Sequence, residues 1–306
     1  MSLSEDVRGE LAAIEPRKPC CRLAELSALV RGAGSVHLRG GGRIGLHVEV
    51  ASGAVARRAF SLLRSYGVPC EIRTYRRRAF ERSTRFQLHL GDDARALQAL
   101  NEAGVLDASL APAARPPRRV VARACCRAAY LRGAFLAAGS ATGPRNAHLE
   151  LRTADAESAR FLAELGATAG FALGVYERSG HAVAYAKGVE TIAELLAFLG
   201  AHGVALWLGE EAVVAATRAR ANRLANADHA NIVRTSRAAE AQLRAIRRLE
   251  QDGRLEELAP ELREIARLRA RHPTLSLREL AGRCSPPATK AAVQRRVARL
   301  RRLAEA

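Results

Sequence analysis

The sequence predicts an α+β fold in which a domain of two similar αββαββα halves is followed by an all-α domain. The first observation is an internal repeat. Residues 20–35 and 125–140 match at an offset of 105 positions, with the same Cys-Cys-Arg start and the same Ala-Gly-Ser end. One long offset is typical of a duplicated domain rather than of a short-period repeat protein. The second observation is that the same order of predicted helices and strands follows each copy, and beyond about residue 210 only helical patterns remain.

These observations divide the chain into three segments. We expect residues 1–115 to form the first half, residues 116–208 the second half, and residues 209–306 a helical domain. The chain has 306 residues, of which 48% are hydrophobic, and this is enough to fill the cores of about two domains.

The two repeat helices carry small residues four positions apart, Ala28 and Gly32 in the first and Gly133 and Ala137 in the second. Small residues stacked one turn apart let two helix backbones approach closely. We therefore expect the two helices to pack together about a pseudo-two-fold axis. Gly34 and Gly139 are expected to end the helices by adopting positive φ.

Hydrophobic periodicity predicts the other elements of each half. An opening helix begins near residue 4, with Val7, Leu11 and Ile14 on one face, and ends before Pro16. Residues 43–50 alternate between apolar and polar side chains, as in a half-buried strand, after a glycine turn at 40–42. The first half continues with a helix at 54–66, strands at 70–77 and 85–90, and a helix at 92–103. The second half continues with a strand at 148–152, a helix at 156–165, strands at 173–177 and 182–187, and a helix at 190–200.

The last part of the chain has the pattern of a helix-turn-helix at about residues 276–303. A helix at 260–271 precedes it. Ser276 and Glu279 have the spacing of a capping box, which opens a short helix that ends near Arg283. A turn at 284–288 then leads into a basic helix at 289–303, the order expected of this motif.

The charge of the chain favours an anionic partner. Lys and Arg outnumber Asp and Glu by 49 to 31, and residues 218–306 alone carry 21 basic against 10 acidic residues. Such an excess favours nucleic acid first and an anionic membrane surface second. No apolar run approaches the ~20 residues that span a bilayer, and the acidic amphipathic N-terminus does not resemble a signal peptide. We expect a cytoplasmic, nucleoid-associated protein.

The candidate DNA-binding residues belong to the helix-turn-helix. Its basic helix has no acidic residue before Glu305, which favours DNA binding over an ordinary charged surface. We expect Lys290, Gln294 and Arg295 to meet base edges and the later arginines to meet phosphates. The full candidate set is Ser276, Thr289, Lys290, Gln294, Arg295, Arg296, Arg299 and Arg302.

A second candidate surface is the face of the first sheet that points away from the repeat helix. It is expected to carry Arg43, His47, Arg73, Tyr75, Arg77, Arg85, Gln87 and His89. Three interpretations stay open: a surface that binds DNA, an ordinary solvated face, and a docking face for a protein.

The four cysteines at the start of the repeat helices, 20, 21, 125 and 126, could meet across the pseudo-two-fold and bind zinc. Adjacent cysteines point about 100° apart on a helix, and the usual Cys-x-x-Cys spacing is absent. We therefore interpret them as small buried hydrophobic residues. The eight histidines show no catalytic spacing, and we expect no metal, no cofactor and no enzymatic activity.

Residues 131–140, Leu-Arg-Gly-Ala-Phe-Leu-Ala-Ala-Gly-Ser, resemble the LAGLIDADG motif of homing endonucleases. In that family, duplicated αββαββα halves pair through these helices, and the acidic residue before the closing glycine holds the catalytic metal. The equivalent positions in this chain are Ala33 and Ala138. A methyl group cannot bind Mg²⁺, which needs oxygen ligands, so the resemblance implies the fold without the nuclease.

The complete order of parts resembles the WhiA family of bacterial transcription regulators, which join a degenerate LAGLIDADG domain to a C-terminal helix-turn-helix. The local signs are residues 20–26, 220–226 and 286–290. The resemblance implies a sequence-specific DNA-binding regulator of sporulation or cell division that acts on double-stranded promoter DNA, with a WhiB-type iron-sulfur protein as partner. The alternatives are an active LAGLIDADG endonuclease and an RNA-binding factor, and the shortage of aromatic residues argues against the latter.

Overall fold

The fold was analysed in a computed structural model that describes residues 2–39, 43–76, 84–91 and 93–306, with the side chains of residues 36–39, 43 and 44 left out. Residue contacts divide the chain into two units, Met1–Ala215 and Ala216–Ala306. Each unit has its own hydrophobic core. No described helix is both long enough and apolar enough to cross a membrane.

The first unit is α+β, as the sequence predicts, and its two halves repeat the same order of elements. The first half consists of α1 (Leu3–Ala12), α2 (Pro19–Ala33), β1 (Gly34–Arg39), β2 (Arg43–Val50), α3 (Gly53–Ser65), β3 (Cys70–Arg76), β4 (Thr84–Leu90) and α4 (Ala94–Glu102). The second half consists of α5 (Arg118–Val121), α6 (Ala124–Ala138), β5 (Gly139–Thr142), β6 (His148–Thr153), α7 (Ala156–Thr168), β7 (Gly174–Arg178), β8 (His181–Lys187) and α8 (Val189–Leu199). The predicted turn at residues 40–42 lies outside the described residues.

Each half contains one antiparallel sheet of four strands. The strand orders are β1-β2-β4-β3 and β5-β6-β8-β7, so the two sheets have the same topology. Strand β2 pairs with β4 so that His47 lies opposite His89, and β6 pairs with β8 so that Glu150 lies opposite Tyr185. The alternation that predicted β2 is confirmed, because Leu46, Val48 and Val50 are buried.

The repeat helices α2 and α6 pack against each other through their small residues. A Cβ added at Gly32 would lie 2.7 Å from the Cβ of Ala137, and one added at Gly133 would lie 3.0 Å from the Cβ of Ala28. Each contact joins two positions that correspond under the 105-residue offset, as expected at a pseudo-two-fold axis, and this confirms the predicted close approach.

Gly34 and Gly139 end these helices for a reason other than the expected one. Their φ angles are −87° and −77°, in the extended region, so the expectation of positive φ is wrong. Space is the constraint instead: a Cβ at Gly34 would lie 2.4 Å from the carbonyl oxygen of Val30, and one at Gly139 would lie 2.5 Å from the Phe135 ring. Both glycines begin a strand directly after the helix.

A buried ion-pair network connects the two halves. The Glu25 side chain in α2 is fully buried and accepts hydrogen bonds from Arg58 Nε at 2.6 Å and from Arg132 Nε at 2.8 Å. Arg132, in α6, also donates from Nη1 to the carbonyl oxygen of Leu199 at 3.0 Å. Charges in a protein interior are tolerated when they are paired in this way.

The segment that follows α8 is one long helix, α9 (His202–Gln251), of 50 residues. Wholly helical structure is predicted from about residue 210, but α9 begins eight residues earlier, at His202. Leu208 belongs to the core of the first unit, whereas Ile246 and Leu249 belong to that of the second. The second unit ends with α10 (Pro260–Arg271), α11 (Leu277–Gly282) and α12 (Lys290–Glu305).

Candidate nucleic-acid interface

The short helix α11 has the capping box that the sequence predicts. Ser276 Oγ accepts a hydrogen bond from the Glu279 backbone N–H at 3.3 Å, and Glu279 Oε2 accepts one from the Ser276 N–H at 2.8 Å. The side chain and the backbone N–H of Ser276 both interact with the Glu279 carboxylate, and they hold the pKa of this carboxyl below its ordinary value. The box satisfies two helix N–H groups and fixes where α11 begins.

The turn between α11 and α12 is held by hydrogen bonds at several points. The Ala288 N–H donates to the Ala281 carbonyl at 2.9 Å, and the Ser285 N–H donates to Glu264 Oε1 in α10 at 2.6 Å. Thr289 caps α12 by accepting from the Ala292 N–H at 3.2 Å. Cys284 is buried in this turn, and burial raises the pKa of its thiol. The start of α12 is therefore fixed against the two preceding helices.

Helix α12 has one buried stripe and one basic surface. Val293, Val297, Leu300 and Ala304 are buried, as the helical spacing predicts. Among the candidate DNA-binding residues within this helix, only Arg296 is half-buried, and it lies beside the Cys284 thiol. The others are exposed: Lys290, Gln294, Arg295, Arg299 and Arg302.

The basic residues of α12 fall on two flanks of the helix. Arg295, Arg296, Arg299 and Arg302 line a groove beside the start of α10, together with Glu261. Lys290 and Gln294 fall on the other flank at 100° per residue, and so does the exposed Arg301, which is not in the predicted candidate set. Arg301 could have been predicted to share this flank, because it lies 11 positions after Lys290, which is close to three full helical turns.

A buried arginine supports the loop in front of α11. Arg269 in α10 is 3% exposed and donates from Nη1 to the carbonyl oxygens of Leu275 at 2.6 Å and Pro273 at 3.3 Å. Burial lowers the pKa of this guanidinium. Arg269 is not among the residues predicted from the sequence, although position 269 continues the buried series 262, 265 and 266.

Two acidic residues share the outer face of the first sheet with the predicted basic set. Glu49 pairs in register with Gln87, and Glu71 pairs with His89 and forms an ion pair with Arg73 at 3.0 Å. This face is therefore mixed in charge. Arg77 and the side chain of Arg43 lie outside the described residues.

The second sheet carries polar and aromatic residues that are not among the candidates predicted from the sequence. Glu150 accepts from the Tyr176 hydroxyl at 2.7 Å and lies 2.9 Å from His148 Nε2. The pKa of Glu150 is lowered because these hydrogen bonds outweigh its partial burial. Lys187 lies over the Tyr185 ring at 5.2 Å. This face could have been predicted from the duplication, because it is equivalent to the outer face of the first sheet under the repeat.

Ala33 and Ala138 are the last residues of α2 and α6. Among the described residues, the metal-ligating side chains that come together in a group of three or more are the four cysteines at the opposite ends of these helices. The acidic metal ligands of the endonuclease motif therefore have no counterpart at positions 33 and 138.

Three family models match the chain: the WhiA N-terminal LAGLIDADG-like domain at residues 19–106, the WhiA LAGLIDADG-like domain at 127–218, and the WhiA C-terminal HTH domain at 221–304. A protein of Heliobacterium modesticaldum named "Probable cell division protein WhiA" is 38% identical, and the match covers 100% of this chain and 97% of the relative.

Two solved structures show the same fold. The crystal structure of full-length WhiA from Thermatoga maritima matches with a TM-score of 0.59 and 23% identity, covering 100% of this chain and 98% of that one. That of the WhiA N-terminal LAGLIDADG domain matches with a TM-score of 0.51 and 18% identity, covering 64% of this chain and 89% of that one.

Proposed function

The chain belongs to the WhiA family, and we propose that it is a sequence-specific DNA-binding transcription regulator that does not cut DNA. Its relatives carry the name of cell division proteins, so the proposed regulon includes genes of cell division or sporulation. We place the protein at the nucleoid in the cytoplasm, on double-stranded promoter DNA. A WhiB-type iron-sulfur protein as its partner rests on the family resemblance alone.

The observation that carries this proposal is the surface of α12. Exposed Lys290, Gln294 and Arg295 lie in the first two turns of a helix that is capped by Thr289 and preceded by the capped helix α11. In a helix-turn-helix these turns reach the base edges in the major groove. Gln can pair with adenine and Arg with guanine.

The proposal of a regulator without nuclease activity is supported by residues 33 and 138. Metal-dependent cleavage requires oxygen ligands for the metal ions, and carboxylates usually supply them. Both positions carry methyl groups at the ends of the paired helices.

The test has two arms on the full chain. Genome-wide mapping of bound sites supplies a promoter duplex, and fluorescence anisotropy then compares this duplex with a scrambled one of equal length. We expect tighter binding to the promoter at every salt concentration. Equal affinity for both duplexes, or tighter binding to single-stranded RNA, would contradict the proposal.

The second arm incubates plasmid and promoter DNA with the protein in Mg²⁺ and in Mn²⁺. Both DNAs are expected to remain intact. Metal-dependent cleavage that copurifies with the protein would show that it is a nuclease.

A further inference from the structure

Four cysteine thiols meet where the two repeat helices begin. Cys20 and Cys21 lie in the first turn of α2, and Cys125 and Cys126 lie in the first turn of α6. Their four Sγ atoms all lie within 4.8 Å of one another. Cys21 and Cys126 are buried, Cys20 and Cys125 are half-buried, and all four are free thiols.

The separation of these sulfurs suits a tetrahedral metal ion. A Zn–S bond of about 2.3 Å in a tetrahedral site places the sulfurs about 3.8 Å apart. Small side-chain rotations would bring atoms that already lie within 4.8 Å to that separation. Adjacent cysteines point in different directions on one helix, but two helices related by a pseudo-two-fold supply two such pairs that converge on one point.

Positive charge surrounds the cluster. All four cysteines lie at helix N-termini, where the helix dipole stabilises negative charge. Arg123 Nη1 lies 4.0 Å from Cys20 Sγ, in a hydrogen bond that also supplies positive charge. Further basic residues lie nearby in sequence, with Lys18 at the N-cap of α2, Arg22 one residue after the first pair and Arg127 one residue after the second. These charges oppose the two net negative charges of a divalent ion with four thiolates.

We propose that Cys20, Cys21, Cys125 and Cys126 together bind one Zn²⁺ ion, which cross-links the two halves of the first unit. Four protein ligands close a tetrahedral site and leave no open position for substrate, so the site is structural. It is separate from the nuclease position of the LAGLIDADG motif. Each helix has 15 residues, so the cysteines and the alanines at its opposite ends are about 20 Å apart at 1.5 Å per residue.

The first test uses the full-length wild-type protein and requires no variant. The protein is reduced, stripped with a chelator, loaded with Zn²⁺ and dialysed, and its metal content is then measured. We expect about one ion per chain, as for a structural zinc site. Bound Zn²⁺ should also protect Cys20 and Cys125 from alkylation, as mapped by mass spectrometry, and leave the half-buried Cys70 as reactive as before.

The second test replaces Zn²⁺ by Co²⁺, whose visible absorption reports tetrahedral thiolate ligation. Cys20→Ser combined with Cys125→Ser should abolish this absorption, whereas Cys70→Ser, a half-buried cysteine outside the cluster, should retain it. Circular dichroism shows whether each variant is folded.

The proposal would be overturned by a wild-type protein that retains no stoichiometric metal. It would equally be overturned by Co²⁺ absorption that survives in the folded double variant, or by a disulfide among these cysteines in freshly isolated protein.

Discussion

Gly133 in α6 lies directly against the backbone of Glu25 in α2: a Cβ built at position 133 would be 2.4 Å from the Glu25 carbonyl oxygen. No real Cβ contact is that short, so a side chain there would force the two helices apart. The contact also lies next to the buried carboxylate of Glu25, so a change in helix separation would disturb the ion-pair network.

Gly133→Ala is therefore expected to destabilise the first unit by at least the ~1–3 kcal/mol typical of overpacking. Gly9→Ala is the matched control, since Gly9 lies in helix α1 with nothing within 4 Å of its added Cβ. That change should stabilise the protein by about 0.5–1 kcal/mol through helix propensity. Urea unfolding of both variants provides the measurement. Equal effects would show that α2 and α6 are not in close contact.

Glu25→Gln should be strongly destabilising, because it leaves the buried guanidinium groups of Arg58 and Arg132 without a countercharge. Removing one partner of a buried ion pair costs about 3–5 kcal/mol. The control is Glu157→Gln, which removes an exposed partner of Arg115 and should change stability by less than about 0.5 kcal/mol. Similar stabilities for the two variants in urea titrations would contradict the assigned role of the network.

Ser276→Ala should destabilise the second unit by about 1 kcal/mol, because it removes an N-cap. Ser236→Ala, an exposed serine within α9, is the control and should be neutral or slightly stabilising. Thermal or urea unfolding of the full chain with a probe in the second unit measures both changes.

The contribution of the capping box should depend on pH. The pKa of Glu279 in the folded protein lies below its ordinary value of 4.5. The stability that its carboxylate contributes is therefore complete above pH 4.5 and is lost as the pH falls through the lowered pKa. Urea titrations of wild type and Glu279→Gln should converge as the pH is lowered. A difference that stays constant down to the acid limit would show that Glu279 acts without its charge.

The residues of α12 should separate into two classes in DNA binding. Replacing Gln294 or Arg295 by Ala should cost ~1–3 kcal/mol of discrimination between promoter and scrambled duplexes. Arg299→Ala should weaken binding to both duplexes alike and reduce the slope of log K against log salt by about one unit. Arg160→Ala, an exposed arginine of α7 in the first unit, is the control. Unchanged binding after the loss of Lys290, Gln294 and Arg295 together would move the DNA site to the sheets.

The fold was largely predictable because the chain is duplicated, so each helix or strand predicted in one half is supported by the same element in the other half. Strand β2 and the helix-turn-helix follow from periodicity and capping chemistry, which are local properties of the sequence. The small residues Gly32 and Gly133 predicted a long-range contact because their spacing repeats in both copies. The α12 surface was predictable from helical periodicity, since burial of Val293 and Val297 determines which residues remain exposed.

Other features depend on residues that meet only in the folded chain. Nothing in the local sequence around Glu25 pairs it with Arg132, which lies 107 positions away. The role of Gly34 could not be predicted for a different reason. A glycine required because there is no room for a Cβ and a glycine required for its positive φ cannot be distinguished in a sequence. The spacing rules for metal ligands on one segment do not apply to the cysteine pairs, whose thiols converge from two helices.

The Glu25–Arg132 ion pair breaks the pseudo-two-fold symmetry, because the two residues are not repeated in the other half. Under the 105-residue offset, Glu25 corresponds to Tyr130 and Arg132 corresponds to Ser27. Two copies of the first half, paired through α2, would place the buried carboxylate of each opposite a serine. Two copies of the second half would bury arginines against tyrosines. A gene duplication that began with interchangeable halves has thus produced complementary ones. A second half paired with itself would bury Arg132 without the carboxylate of Glu25, and a first half paired with itself would keep the Glu25–Arg58 pair but lose the contact with Arg132.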